Sequence, residues 1–317
     1  MMTDHRTTDD IVFDFETGEP PVALEERTQY TFGPYRILRK LGEGGMASVF
    51  LVEIRGAFDF RKVVALKLMH AQIMRETVQR QMFVNEVRLG GMLQHPNIVQ
   101  MFDCGLEGNQ PFCTMEFVNG WSLERILGRC REMHMELPPS VIAEVLRAVC
   151  DGLHFAHTFV HEGAPLDLVH RDVKPANVLI SRHGEVKVAD FGIAKAAVNV
   201  HHTQAGVARG TAMYMSPEQT LGRDLDCRSD VFSVGSMLYF ALTGMFAFWS
   251  GDPNDHPLAD VMATMHAVLQ CERTFAVRTL AEHHPAFLDA FSRATEKKRE
   301  ERCASAELLG TELAEIR

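Results

Sequence analysis

The chain has 317 residues, 46% hydrophobic and 23% charged, with 23 Gly, 13 Pro and a formal net charge of −10. That apolar share supports a large core and excludes global disorder, and the length allows one two-lobed domain or two ordinary ones. No run approaches the ~18–20 uninterrupted apolar residues of a spanning helix, the polar start Met1-Met2-Thr3-Asp4-His5 is unlike a secretory signal, and the acidic balance argues against a surface built to hold nucleic acid.

Most of the charge excess sits at one end. Residues 1–30 hold eight acids (Asp4, Asp9, Asp10, Asp14, Glu16, Glu19, Glu25 and Glu26) against Arg6 and Arg27, so six of the ten negative units belong to a leader. With Pro20-Pro21 and no sustained periodicity, residues 1–34 read as a disordered acidic extension. The seven cysteines are odd in number and include no CxxC, so neither a disulfide framework nor a four-ligand zinc site is expected; a reducing cytoplasm fits.

From Tyr35 the pattern is strand-like: Tyr35–Leu38, a glycine cluster, Ser48–Glu53, a polar turn at 56–61, and Val63–Leu68. Residues 74–93 switch to helical spacing, and strands are expected at Ile98–Phe102 and Phe112–Phe117. Beyond Asn119-Gly120 helices dominate, at 122–133, 139–160, 228–243, 258–271, 285–295 and 304–316. Short strands at Val178–Ile180 and Val186–Val188 flank the turn Arg182-His183-Gly184. A sheet-rich part of about 85 residues therefore precedes a helical part of about 200.

Five motifs follow in order. The first is Leu41-Gly42-Glu43-Gly44-Gly45-Met46-Ala47-Ser48-Val49. Glycines let backbone N–H groups approach phosphate oxygens. A strand follows where a dinucleotide fold needs a helix, and the Gly-Lys-Ser/Thr of a Walker A loop is missing, so the loop is a hairpin tip. The second is Val64-Ala65-Leu66-Lys67, a lysine on an apolar strand that suits either phosphate or an ordinary sheet edge. The others are Val169-His170-Arg171-Asp172-Val173-Lys174-Pro175-Ala176-Asn177, Asp190-Phe191-Gly192 and Met215-Ser216-Pro217-Glu218.

In this order the five strings resemble the signature of Ser/Thr protein kinases of the eukaryotic type, with bacterial members the most similar, over about 35–316. The resemblance implies a bilobal α+β kinase fold, with an N-lobe over 35–117 and a C-lobe over 118–317. It also implies ATP and Mg²⁺ as cofactors and protein Ser/Thr hydroxyls as acceptors, with autophosphorylation in the activation loop. By position, Gly42, Gly44, Gly45 and Ala47 would cover the phosphates, Lys67 would contact them, and Glu86 would pair with Lys67. Asp172 matches the base that takes the substrate hydroxyl proton, Lys174 the lysine that steadies the transferring phosphate, and Asn177 and Asp190 the metal-binding pair. Leu41, Val49, Ala65, Met115 and Leu179 would enclose adenine, with backbone groups of Glu116 and Val118 on its edge. Glu218 would pair with Arg302, and Asp230 would anchor the catalytic loop.

In the activation segment the resemblance makes Thr211 the substrate-loop threonine and Thr203 the phosphosite facing Arg171. The chain departs from the family in four places: Ala47 replaces the third glycine, Ala205 stands where a second threonine is common, Ser122 and Ala176 replace acids that select basic substrates, and Val160–Asp167 lengthens the approach to the catalytic loop. A pseudokinase scaffold is the alternative reading, and a small-molecule kinase a third. No membrane segment is expected.

Overall fold

In the computed structural model, residues 30–44, 47–70, 90–108, 110–191, 212–248 and 261–316 are described. The N-terminal lobe is a six-stranded sheet of order β1-β2-β3-β4-β6-β5. Its strands are β1 (Thr31–Phe32), β2 (Tyr35–Glu43), β3 (Ala47–Arg55), β4 (Arg61–Met69), β5 (Met101–Glu107) and β6 (Gln110–Met115). Alternation along these strands sends Tyr35, Phe50, Val52, Val64, Leu66, Leu68 and Phe112 into one apolar cluster. A second, sulfur-rich cluster of Ala47, Met69 and Cys113, with Met101, Cys104 and Met115, fills the other side.

The sheet starts before Tyr35, because Thr31 and Phe32 pair with Arg36 and Tyr35. The strand expected at Ile98 starts instead at Met101. The backbone around Ile98 is turned toward the second lobe, with Val188 donating to Asn97 at 2.8 Å and Val99 donating to Val188 at 2.9 Å.

The C-terminal lobe is helical: α1 (Leu123–Glu132), α2 (Pro139–His157), α3 (Pro217–Thr220), α4 (Cys227–Thr243), α5 (Val261–Gln270), α6 (Thr274–His283), α7 (Leu288–Ala294) and α8 (Ala306–Glu315). Residues Ser229–Leu242 of α4 are all buried, as befits a helix that is apolar on every side, and α2, α7 and α8 pack around it. Asp226 caps its first turn, and Gly244, left-handed at φ 72°, ends it. Helix α6 is absent from the sequence expectation although Ala276 and Leu280 carry its buried face.

Helix α2 stops at His157 rather than 160, and Val160–His161 pairs with Ala164–Pro165 as the short ribbon β8/β9. Glu162 and Gly163, at φ 51° and 83°, make its turn. The lengthened stretch before the catalytic loop is thus a hairpin.

A three-stranded sheet lies where the second lobe meets the first: β7 (Gly120–Ser122) pairs with β10 (Val178–Ser181), which pairs with β11 (Val186–Val188), the strand bonded to Asn97 and Val99. Gly120 permits the contact, since a Cβ there would lie 1.8 Å from the Ile180 carbonyl oxygen. Gly120→Ala is expected to cost about 3 kcal/mol, through displaced backbone. Gly128→Ala, on α1 where a Cβ meets nothing within 4 Å, is expected to gain about 0.5–1 kcal/mol. Urea midpoints of the two variants check the contrast.

Candidate active site

The sheet between the lobes determines where the chemical groups stand. Lys67, near the end of β4, has its Nζ 2.7 Å from Oδ1 of Asp190, just past β11. The family resemblance makes Glu86 the partner of Lys67; Glu86 lies outside the described residues, as do Gly45, Thr203 and Thr211. Asp190 takes φ 57°, a left-handed geometry that aspartate tolerates better than most residues. The next residue, Phe191, is buried with its ring 4.5 Å from that of His170.

Beneath this pair runs the loop 170–177, closed by the 3₁₀ turn Pro175–Asn177. Asp172 is 6% exposed. Its Oδ2 lies 3.1 Å from Nζ of Lys174 and 3.0 Å from Nδ2 of Asn177, and that same amide nitrogen donates to the Asp172 carbonyl at 2.9 Å. Asn177 therefore has its nitrogen committed to Asp172 and its oxygen turned elsewhere. Two carboxylates, a carboxamide and two ammonium groups converge on one cleft from β4, the loop and the end of β11.

The loop is held by a network buried below it. Asp230, on α4, accepts the backbone N–H of His170 through Oδ2 at 2.7 Å and that of Arg171 through Oδ1 at 2.9 Å. His157, at the end of α2, meets the same Oδ2 at 2.7 Å through Nε2. Burial alone would raise the Asp230 pKa, but the His157 bond and the neighbouring histidines outweigh it and keep the carboxyl below its ordinary range. Burial lowers the His170 pKa. A neutral ring fits its contacts, with Nε2–H donating to the Ala189 carbonyl at 3.1 Å and Nδ1 accepting the Asp172 N–H at 3.2 Å.

Arg171 sits at φ 68°, a costly geometry for a long side chain. Its peptide is gripped on both sides, the N–H by Asp230 and the carbonyl by Nε2 of Gln219 at 2.5 Å. Gln219 belongs to α3, where it also closes a capping box with Ser216. The Ser-x-x-Gln spacing is legible as a cap; the reach to Arg171 is not, and sequence reasoning missed it along with His157.

Of the residues expected around adenine, four lie on paired strands, and the segment 116–119 between β6 and β7 is the hinge of the fold. Gly42 pairs with Val49, Ala65 with Met115, and Leu179 with Ser122 beside the hinge. At the loop tip Gly44 donates to the Ala47 carbonyl at 2.8 Å, closing a hairpin. The Glu116 N–H donates to Gln100 at 2.8 Å, so of its backbone groups the carbonyl is left for a ligand. Its carboxylate turns away from the cleft, 3.1 Å from Nζ of Lys187 on β11, a contact across the lobes that the sequence reading did not anticipate.

The profile of the protein kinase domain matches residues 35–313. The chain belongs to the protein kinase family, of the eukaryotic type with bacterial members. It is 40% identical over 242 residues to the tyrosine-protein kinase MasK of Myxococcus xanthus, covering 76% of this chain and 36% of MasK. It is 39% identical over 234 residues to the serine/threonine-protein kinase Pkn1 of the same organism, covering 72% of this chain and 30% of Pkn1. It is 36% identical over 293 residues to the serine/threonine-protein kinase PksC of Streptomyces coelicolor, covering 90% and 49%. The chain thus spans a third to a half of the length of these curated relatives. The crystal structure of the Mycobacterium tuberculosis PknI kinase domain shares the bilobal fold, with a TM-score of 0.66 at 23% identity, covering 91% of this chain and 98% of that one. Among the described residues no helix is long and apolar enough to cross a membrane.

Proposed function

We propose that this chain transfers the γ-phosphate of ATP to serine or threonine hydroxyls of proteins, its own included. The observation that carries the reading is the convergence of Lys67, Asp172, Lys174, Asn177 and Asp190 on one cleft. Phosphoryl transfer needs little covalent help; it needs in-line positioning and neutralised charge on the phosphate oxygens. In this reading Asp172 accepts the acceptor hydroxyl's proton, Lys174 balances charge on the transferring group, and Lys67 and the 42–47 hairpin hold the other phosphates. Leu41, Val49, Ala65, Met115 and Leu179 enclose the base, with the Glu116 carbonyl and a backbone group of Val118 at its edge.

Asn177 and Asp190 would hold Mg²⁺. The fit rests on donor chemistry: the Asn177 nitrogen is engaged by Asp172, so it offers its oxygen, and with the Asp190 carboxylate this is the hard oxygen set that Mg²⁺ takes. When bound, the ion neutralises phosphate charge.

The test is incubation with labelled ATP and Mg²⁺, with and without added protein substrates, beside Asp172→Asn. Absence of label from wild-type protein and from every added protein sinks the reading and leaves the scaffold alternative. The name of MasK motivates a second reading, tyrosine as acceptor; phosphoamino acid analysis separates the two, with phosphoserine or phosphothreonine expected.

Regulation follows from Arg171, whose Nε is buried and finds no hydrogen-bond acceptor among the described residues. We assign that acceptor to phosphorylated Thr203. Thr203→Ala is expected to lower kcat/KM by up to about 100-fold, the scale of loss when reacting groups are misplaced by ~1 Å. Unchanged kinetics in that variant would remove Thr203 from the scheme. Cytoplasmic location and an interaction or autophosphorylation role for the acidic leader (Thr7, Thr8, Thr17) belong to the same proposal; deleting 1–30 without effect on kinetics, substrates or solubility would leave the leader without one.

A further inference from the structure

We propose that Cys104 and Cys113 close a reversible cross-strand disulfide when the protein meets a hydroperoxide, and that this bond slows phosphotransfer.

The two cysteines face each other on the antiparallel strands β5 and β6. The Cys104 N–H turns to the Asp103 carboxylate at 2.8 Å rather than across the ladder. Two residues on, in the same phase, Leu106 faces Pro111, which has no N–H to give. The pair is therefore of the non-hydrogen-bonded kind, with Cα atoms about 4.5 Å apart and side chains drawn together. That spacing falls inside the ~4.4–6.8 Å range of natural disulfides. Both side chains lie on one face, in the cluster with Ala47, Met69, Met101 and Met115. The Cys104 thiol donates to the Met101 thioether at 3.3 Å, and neither cysteine is in a disulfide.

Access is graded. Cys104 is partly exposed and Cys113 is 3% exposed, so peroxide reaches Cys104 first. The Cys104 thiolate attacks the peroxide, the O–O bond breaks, and Cys104 becomes a sulfenic acid as one water (or alcohol) leaves. The Cys113 thiol then displaces the sulfenic oxygen as a second water, and the S–S bond forms. Two thiols have lost two electrons and the peroxide has gained them. A dithiol reverses the step by exchange. The buried thiols of the other lobe suit this chemistry poorly: burial raises the pKa of Cys150 and Cys303, and pushes that of Cys271 up to about 11.

The position gives the bond a consequence. On its other side Cys113 faces Lys67 of β4, and two residues later Met115 faces Ala65. Disulfides favour Cα atoms about 5.5–6 Å apart, so closing the bond on a pair that starts at about 4.5 Å shifts β6 relative to β5 and disturbs its pairing with the strand that carries Lys67. The covalent half of the proposal stands on the sheet alone; the effect on rate rests on the kinase reading.

The experiment treats the whole chain with hydrogen peroxide, alkylates remaining thiols and maps a non-reducing digest by mass spectrometry, with phosphotransfer measured before and after dithiothreitol. Expected are a peptide pair joined through Cys104 and Cys113, a rate lower by up to about 100-fold, as for a ~1 Å misplacement of a positioning group, and recovery with dithiothreitol. Cys104→Ser, conservative and partly exposed, keeps the basal rate and loses both the joined pair and the sensitivity. No joined pair in wild type, or equal sensitivity in Cys104→Ser, overturns the proposal. A joined pair with unchanged rate overturns its inhibitory half. Absent activity in the reduced protein counts against the kinase reading, while the peptide map still decides the disulfide.

Discussion

Asp172→Asn is expected to lower kcat for phosphotransfer by about 10²–10⁴-fold, the range for loss of a positioned general base, while leaving the dissociation constant for ATP nearly unchanged. The substitution keeps the side chain's shape and removes its charge and its ability to take a proton. The carboxamide oxygen that replaces the carboxylate can still accept from Lys174 or Asn177, so the loop does not lose both contacts of Oδ2. The loop backbone is held independently, through Asp230 and Gln219. ATP, in the proposed pose, is gripped by Lys67, the glycine hairpin and the hinge, none of which touches Asp172 by any bond described above. The effect should therefore fall on the chemical step. Single-turnover rates at saturating ATP, beside a direct nucleotide-binding titration, separate the two quantities. A kcat within about threefold of wild type would remove Asp172 from the role of base, whose loss costs far more, and shift the search for one to the acceptor protein.

The groups proposed to do the chemistry were legible as candidates because each sits in a short string whose internal spacing is itself the geometry. From Asp172 to Asn177 the loop is six residues long, and the structure has Asn177 folding straight back onto Asp172. Strands β3 and β4 were legible from alternation, and α4 from a run of apolar residues too dense for a surface helix. What was missed is non-local. His157 reads as one more residue at the end of an amphipathic helix; only the packing of α2 on α4 brings it to Asp230, 73 positions later. Lys187 reads as an ordinary polar residue on a short strand until β11 lies beside the hinge and Glu116. Helix α6 escaped because only Ala276 and Leu280 of its ten residues are buried, too few for a clear stripe. The hairpin at 160–165 was hidden by the apolar phase of α2, which runs on through Phe159 past the real end of the helix. In each case the missing information was which surface an element would meet.

The same distinction sets the expected effect of breaking the Glu218–Arg302 pair, which joins residues 84 apart. The Arg302 side chain is fully buried and grips the carboxylate with two parallel bonds, Nη1 to Oε1 at 2.6 Å and Nη2 to Oε2 at 2.8 Å. Its remaining donors reach the carbonyls of Glu296, Lys297 and Arg228, and its plane lies over the Phe232 ring. Ser229 donates a third bond to Glu218 at 2.6 Å. Arg302→Met leaves a buried carboxylate with only Ser229 and is expected to cost about 3–5 kcal/mol. Glu218→Leu leaves the guanidinium without its counter-ion and should cost a similar amount. The double variant should cost much less than the two together, because neither charge is then stranded. Burial tends to raise the Glu218 pKa, but the bonds from Arg302 and Ser229 outweigh it and hold the carboxyl below its ordinary range. A carboxylate with a lowered folded pKa stabilises fully above its unfolded value of about 4.3 and loses that contribution as pH falls through the folded one. Urea midpoints of wild type and Arg302→Met should accordingly stand furthest apart near neutrality and converge below about pH 4. A gap that persists undiminished in acid would mean that Arg302 acts through its packing on Phe232 and its carbonyl contacts rather than through Glu218. Because α3 carries both Glu218 and the Gln219 that holds the Arg171 carbonyl, the variant that loosens this pair should also slow phosphotransfer, under conditions where the protein remains folded.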